Sequence, residues 1–159
     1  MKTLTILLFP LLLHASSHER AKQFFVDHYE AAEQLYFCEG IPIALSLAVW
    51  ALESKYGSST AAQYNNLGGV KVYIEGEKHN KRFATKGDFY RSFAAIFKQP
   101  CYSNDLRPKT VEQYLKAMEY ACCSYHRSRE YTNKINYIIK RFKLERWKFA
   151  KEDIIINIR

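Results

Sequence analysis

Residues 41–57 read Ile-Pro-Ile-Ala-Leu-Ser-Leu-Ala-Val-Trp-Ala-Leu-Glu-Ser-Lys-Tyr-Gly. Between Ile43 and Leu52 only Ser46 is polar, so a helix built here has no face to turn toward water. A helix that is apolar all round belongs at the centre of a domain, covered by its neighbours. Pro42 suits the first turn, where no amide donor is missed, and Gly57 is a natural end. Glu53 follows the apolar run directly. Burial and the partial negative charge of a helix C-terminus both disfavour an ionised carboxylate there. The sequence therefore predicts a raised pKa at Glu53, the property a general acid needs near neutral pH. The plainer reading is a solvated helix-end glutamate paired with Lys55.

On the N-terminal side, Ser16-x-x-Glu19 has capping-box spacing and opens a helical pattern through Ala21, Phe24, Phe25, Tyr29, Ala32, Leu35 and Tyr36, closed by Gly40. On the C-terminal side the texture changes from Tyr64 to Phe93. Asn65-Asn66 and Gly68-Gly69 mark a loop, Val70 to Ile74 alternates as a strand does, and Glu75-Gly76 is a turn. Lys86-Gly87-Asp88 reads as a further break, and helices are expected to resume only after Pro108. Thr110-x-x-Gln113 caps one of them, and Ile135, Ile138, Ile139 and Phe142 mark a last one. The pattern predicts a mostly helical α+β domain with one small β-hairpin lobe. The tail from Trp147 to Arg159 carries Ile154 to Ile156 and has no clear place in that plan.

Composition narrows the setting. The chain has 159 residues, 48% hydrophobic, with a formal charge of +8 and a pI near 9.3, which favours one compact domain and a polyanionic partner. Met1-Lys2, the apolar run Leu4 to Leu13 and the small residues Ala15-Ser16-Ser17 have the layout of a secretory signal too short to span a bilayer. Residues 1–17 are read as that signal and 18–159 as a single domain, secreted or periplasmic, without membrane insertion and monomeric. Cys38, Cys101, Cys122 and Cys123 would then meet an oxidising compartment, where up to two bridges and three connectivities are open. No CxxC or His cluster suggests a metal, and no cofactor is implied.

The segment IPIALSLAVWALESKYG resembles the signature helix of the glucosaminidase family of peptidoglycan hydrolases, glycoside hydrolase family 73, which ends in that family's catalytic glutamate. Three further blocks follow in the family's order. Asn65 to Lys71 is similar to its NNLFGIK block, Tyr90 to Phe93 to its FR-x-Y block, and Tyr125 with Tyr131 to Ile135 to its closing YATDPNYA-x-KI segment. Together they cover roughly residues 41–144. The resemblance implies a lysozyme-like fold with a groove between a helical lobe and a β-lobe. It implies hydrolysis of the β-1,4 bond after N-acetylglucosamine in peptidoglycan glycan strands, with Glu53 as general acid and Tyr131 lining the catalytic centre. Tyr56, Asn66 and Tyr90 are candidate substrate contacts, and Glu75, Glu77 and Asp88 are candidates for a second carboxylate.

The sequence departs from the family pattern at Lys55-Tyr56, where Gly-Trp is usual, and at Gly68, which replaces an aromatic. Those departures keep two other readings open: a lytic transglycosylase, which also uses a glutamate before a serine, and a non-catalytic wall-binding or assembly module. The Gly-Leu-Met-Gln block of transglycosylases does not occur in the sequence. A secreted nucleic-acid binder has no motif in its favour.

Overall fold

The computed structural model describes residues 17–99, 110–120 and 128–149. Among them are five helices, α1 (Ser17–Glu39), α2 (Ile43–Ser54), α3 (Lys86–Phe97), α4 (Val111–Tyr120) and α5 (Arg129–Phe142). An antiparallel hairpin, β1 (Lys71–Ile74) with β2 (Glu77–Asn80), lies between α2 and α3. The signal-like segment up to Ser16, Tyr125 and the isoleucine tail lie outside the described residues, as do Cys101, Cys122 and Cys123. Cys38 is exposed on α1 with a free thiol.

The apolar helix is central, as its composition requires. Every residue from Ile43 to Ala51 is buried, and α2 packs against α1 on one side and α5 on another. Trp50 anchors the arrangement from the middle of α2. Its ring meets Tyr90 at 4.8 Å, Phe93 at 5.4 Å and Phe89 at 6.0 Å, all on α3. Removing so large a buried ring would cost about 3–5 kcal/mol. Helix α1 presents Ala21, Phe24, Phe25, His28, Ala32 and Leu35 to this core at helical spacing. Gly40, at φ +72, then reverses the chain, and its N–H donates to the Tyr36 carbonyl at 2.9 Å.

Helix α3 overturns the expectation that helices resume only after Pro108. Lys86-Gly87-Asp88 is a helix start: the Thr85 side chain accepts from the Asp88 N–H, and the Asp88 carboxylate accepts from the Thr85 N–H at 2.9 Å. Gly87 falls in the first turn, where a capping box offsets its poor helix propensity. Phe89, Phe93, Ala94 and Phe97 then form a buried face. The Thr110–Gln113 box does form: at the head of α4 the Thr110 N–H donates to Gln113 Oε1 and the Gln113 N–H to Thr110 Oγ1, both at 3.2 Å. After α5 a 3-10 turn spans Leu144–Phe149 and brings Trp147 to 5.7 Å from the Phe25 ring.

The hairpin turns at Glu75 and Gly76, both with positive φ, as a two-residue turn between twisted strands requires. Its residues are exposed or half-buried, so its base must hold it to the body. Asn66 does this. The buried carboxamide donates to the Val70 carbonyl at 2.8 Å and the Lys81 carbonyl at 2.9 Å, and accepts from the Val70 N–H at 2.9 Å. Asn65 adds bonds to the carbonyls of Phe83 and Ala84.

Candidate active site

Glu53 stands on the last turn of α2, half-buried at the edge of the core. The fully buried stretch ends at Ala51, and Leu52 and Glu53 are both partly open. The helix stops at Ser54, three residues before Gly57. The Lys55 N–H donates to the Leu52 carbonyl at 3.5 Å and the Tyr56 N–H to the Ala51 carbonyl at 2.9 Å. These are the two bonds of a Schellman end, with Lys55 in the left-handed position usually given to glycine.

Ser54 fixes the geometry of that end and was not singled out from the sequence. It is fully buried, donates its hydroxyl to the Trp50 carbonyl at 2.6 Å and accepts from the Gly57 N–H at 2.8 Å. Its carbonyl also accepts from Ser59 at 2.8 Å. The backbone beside Glu53 is therefore tied to both the helix and the loop that leaves it. A buried serine that bonds back to residue i−4 and forward to i+3 is the signal that could have been read from Glu-Ser before a turn.

The Asn65–Val70 loop closes against the carboxylate. A methyl group on Gly69, whose φ is +62, would lie 2.9 Å from Glu53 Oε2. Only a residue without a side chain lets the loop approach the carboxylate this closely. The structure thus brings together the end of the first resemblance block and the glycine of the second.

The other candidates are distributed differently. Asn66, expected as a substrate contact, is completely buried with both amide hydrogens engaged, so it holds the loop instead of facing a ligand. Tyr90 is half-buried, lies against Trp50 and shares a 2.9 Å hydrogen bond with His28 Nδ1. Burial pushes the Tyr90 hydroxyl up to about 12 and His28 down to about 4, the latter assisted by Lys86 and opposed by Asp27. Tyr131 is buried in the first turn of α5. Tyr56 packs edge-on to Phe24, Phe25 and Phe142, an aromatic seat between α1 and α5.

Of the carboxylate candidates, Glu75 sits exposed at the hairpin turn and Glu77 lies 3.6 Å from His79. Asp88 is engaged with Thr85 and with Arg91, and the Thr85 hydrogen bonds hold its carboxyl below the usual range.

This arrangement agrees with an independent similarity. The family profile described as "Glucosaminidase: Mannosyl-glycoprotein endo-beta-N-acetylglucosaminidase" matches residues 29–144, most of the chain. The chain belongs to the glucosaminidase family. Two solved structures share its fold. The glycoside hydrolase domain from Salmonella typhimurium FlgJ superposes with a TM-score of 0.63 at 22% identity, covering 82% of this chain and 93% of that one. A C-terminally truncated form of the same domain gives 0.59 at 21% identity, covering 77% and 97%. No curated protein matches the sequence. The lysozyme-like reading of the fold stands: a helical body built round α2 with a small hairpin lobe. No helix among the described residues is long and apolar enough to cross a membrane.

Proposed function

We propose that this glucosaminidase hydrolyses the β-1,4 bond after N-acetylglucosamine in the glycan strands of peptidoglycan, with Glu53 as the general acid. Family membership supports a glycosidase. The observation that carries the assignment of the acid is the approach of Gly69 to Glu53 Oε2, which sets one carboxylate at the junction of the helical body and the hairpin lobe. A groove at that junction would hold the sugar, and the proton from Glu53 would pass to the leaving glycosidic oxygen as positive charge develops on the ring. Tyr131, at the head of the helix that packs on α2, is proposed to line the catalytic centre, following the motif match. Asp88 is a poor second carboxylate because its oxygens are already held by Thr85 and Arg91. Export through residues 1–17 would place the mature domain, with a charge of about +7, next to an anionic wall.

The test is mass spectrometry of the fragments that wild type and Glu53→Gln release from purified peptidoglycan. New N-acetylglucosamine reducing ends are expected from wild type, with the variant slower by about 100-fold or more, as befits loss of an acid catalyst. Variant turnover within a few-fold of wild type would sink the assignment of Glu53. Anhydro-muramic ends would instead indicate a lytic transglycosylase, and folded wild type that releases nothing would indicate a binding module.

A further inference from the structure

Behind the end of α2 the molecule holds a cavity of about 330 Å³, walled by the start of α1, the Lys55–Ser58 turn and the last turns of α5. Glu53 does not line it. Tyr137 and Arg141, which do, lie six and ten residues beyond Tyr131 on α5, so the cavity sits roughly 9–15 Å along the helix from the proposed catalytic end.

Its chemistry is one-sided. Arg20, Lys55 and Arg141 all line it, His18 adds a further cation when protonated, and no carboxylate is among the lining residues. Among the described residues none of Arg20, Lys55 and Arg141 forms an ion pair, whereas Lys22, Lys116 and Lys134 each do so on the surface. Like charges gathered around one concavity repel unless an anion enters.

Two of these exposed side chains, Arg141 and His18, are also held in place. Arg141 Nη1 donates to the Tyr137 hydroxyl at 2.6 Å, and its guanidinium lies 5.7 Å from the Phe142 ring centroid. The His18 ring stacks on the same Phe142 ring, with centroids 5.4 Å apart and planes inclined by 19°. Lys55 and Tyr56, which line the cavity, both adopt positive φ, 51° and 54°. Glycine would take the Lys55 position without strain, so a lysine there is a backbone cost accompanied by a charge delivered to the cavity.

We infer that this cavity is an oxyanion-binding site, separate from Glu53, which takes a carboxylate or phosphate group borne by the wall polymer and anchors the enzyme on it. The guanidinium forks of Arg20 and Arg141 suit either group, with Lys55 as a point charge between the helices. The wall as the source of the anion rests on the proposed function; the oxyanion site itself does not.

The site is read first without any turnover. In an NMR titration of the mature chain with inorganic phosphate, the side-chain N–H signals of Arg20 and Arg141 should shift saturably while those of Arg82 and Arg129 hardly move. Equal shifts at all four would overturn the site. On purified sacculi at low salt, the double variant Arg20→Gln/Arg141→Gln should bind about tenfold more weakly, the effect of two exposed charge contacts. The control Lys116→Gln/Lys134→Gln removes the same charge from other surfaces, and an equal loss there would overturn the proposal. Lys55→Gly guards against misfolding: it should raise the melting temperature yet weaken sacculus binding, and unchanged binding would count against the site. Sacculi stripped of phosphodiester polymers distinguish the source. Weakened wild-type binding identifies phosphate, retained binding that still depends on Arg20 and Arg141 identifies peptide carboxylates, and binding indifferent to both arginines refutes the anchor. Phosphate binding by a chain that cleaves no glycan would leave this inference standing while the glycosidase reading fell.

Discussion

Gly69→Ala separates the geometry around Glu53 from the general stability of the fold. Two effects act at this position. Alanine at φ +62 pays the left-handed penalty of about 1–2 kcal/mol. Its methyl would also lie 2.9 Å from Glu53 Oε2, against 3.4 Å at the near limit of ordinary contact, so the carboxylate must move by about half an ångström. Because Glu53 is half-buried, that movement is available and should add little to the loss of stability. Its effect on rate is larger: a displacement of 1 Å can cost about 100-fold, so half of that should lower turnover roughly tenfold. Gly40→Ala is the internal control, since Gly40 has φ +72 and nothing within 4 Å of an added methyl. Both variants should lose about 1–2 kcal/mol in denaturant unfolding, but only Gly69→Ala should lose clearing activity on wall suspensions once corrected for folded fraction. Equal activity in Gly69→Ala and wild type, or equal loss in both variants, would refute the claim that the loop glycine positions Glu53, the proposed acid.

Two further outcomes follow from groups in the core. His28 titrates near 6.5 when unfolded and about 4 when folded, so the folded state binds fewer protons between those values. Its contribution is complete above pH 6.5 and is lost as pH falls through 4; the shift corresponds to at most about 3 kcal/mol, and to less after allowing for water access. Stability measured from pH 7 to 4 should therefore fall more steeply for wild type than for His28→Gln, and parallel curves would contradict the assignment. Asn66→Ala removes three bonds to backbone groups at the base of the hairpin and should destabilise by about 2–4 kcal/mol in chemical denaturation; a loss below about 1 kcal/mol would mean that water replaces the carboxamide.

The missed helix α3 shows where a linear reading fails. Lys86-Gly87-Asp88 has the composition of a turn, and helix-start and turn residues overlap because both satisfy unpaired backbone amides with short polar side chains. The deciding cue was Thr85 three residues before Asp88, followed by Phe89, Phe93 and Phe97 on one face. Asn66 was misread for a related reason. An asparagine beside glycines in a motif loop looks available for ligand, and only its burial under Val70 and Lys81 shows that the loop itself uses both donors. Gly57 was the obvious helix end, yet the hydroxyl of Ser54 and the left-handed Lys55 end the helix earlier.

The uninterrupted apolar run from Ile43 to Leu52 by itself determined that one helix must be central, because no polar face exists to meet water. The same run placed Glu53 at the boundary of the core, and the order of the motif blocks pointed to the glucosaminidase family before any coordinate. Only the tertiary structure decided which residues meet there. Gly69 is sixteen positions from Glu53 and Arg141 more than a hundred from Arg20, so neither the approach to Glu53 nor the cationic cavity has a signature along the chain. Periodicity reports which side of an element is buried; which elements pack together, and what their side chains meet, is settled by closing the core around α2.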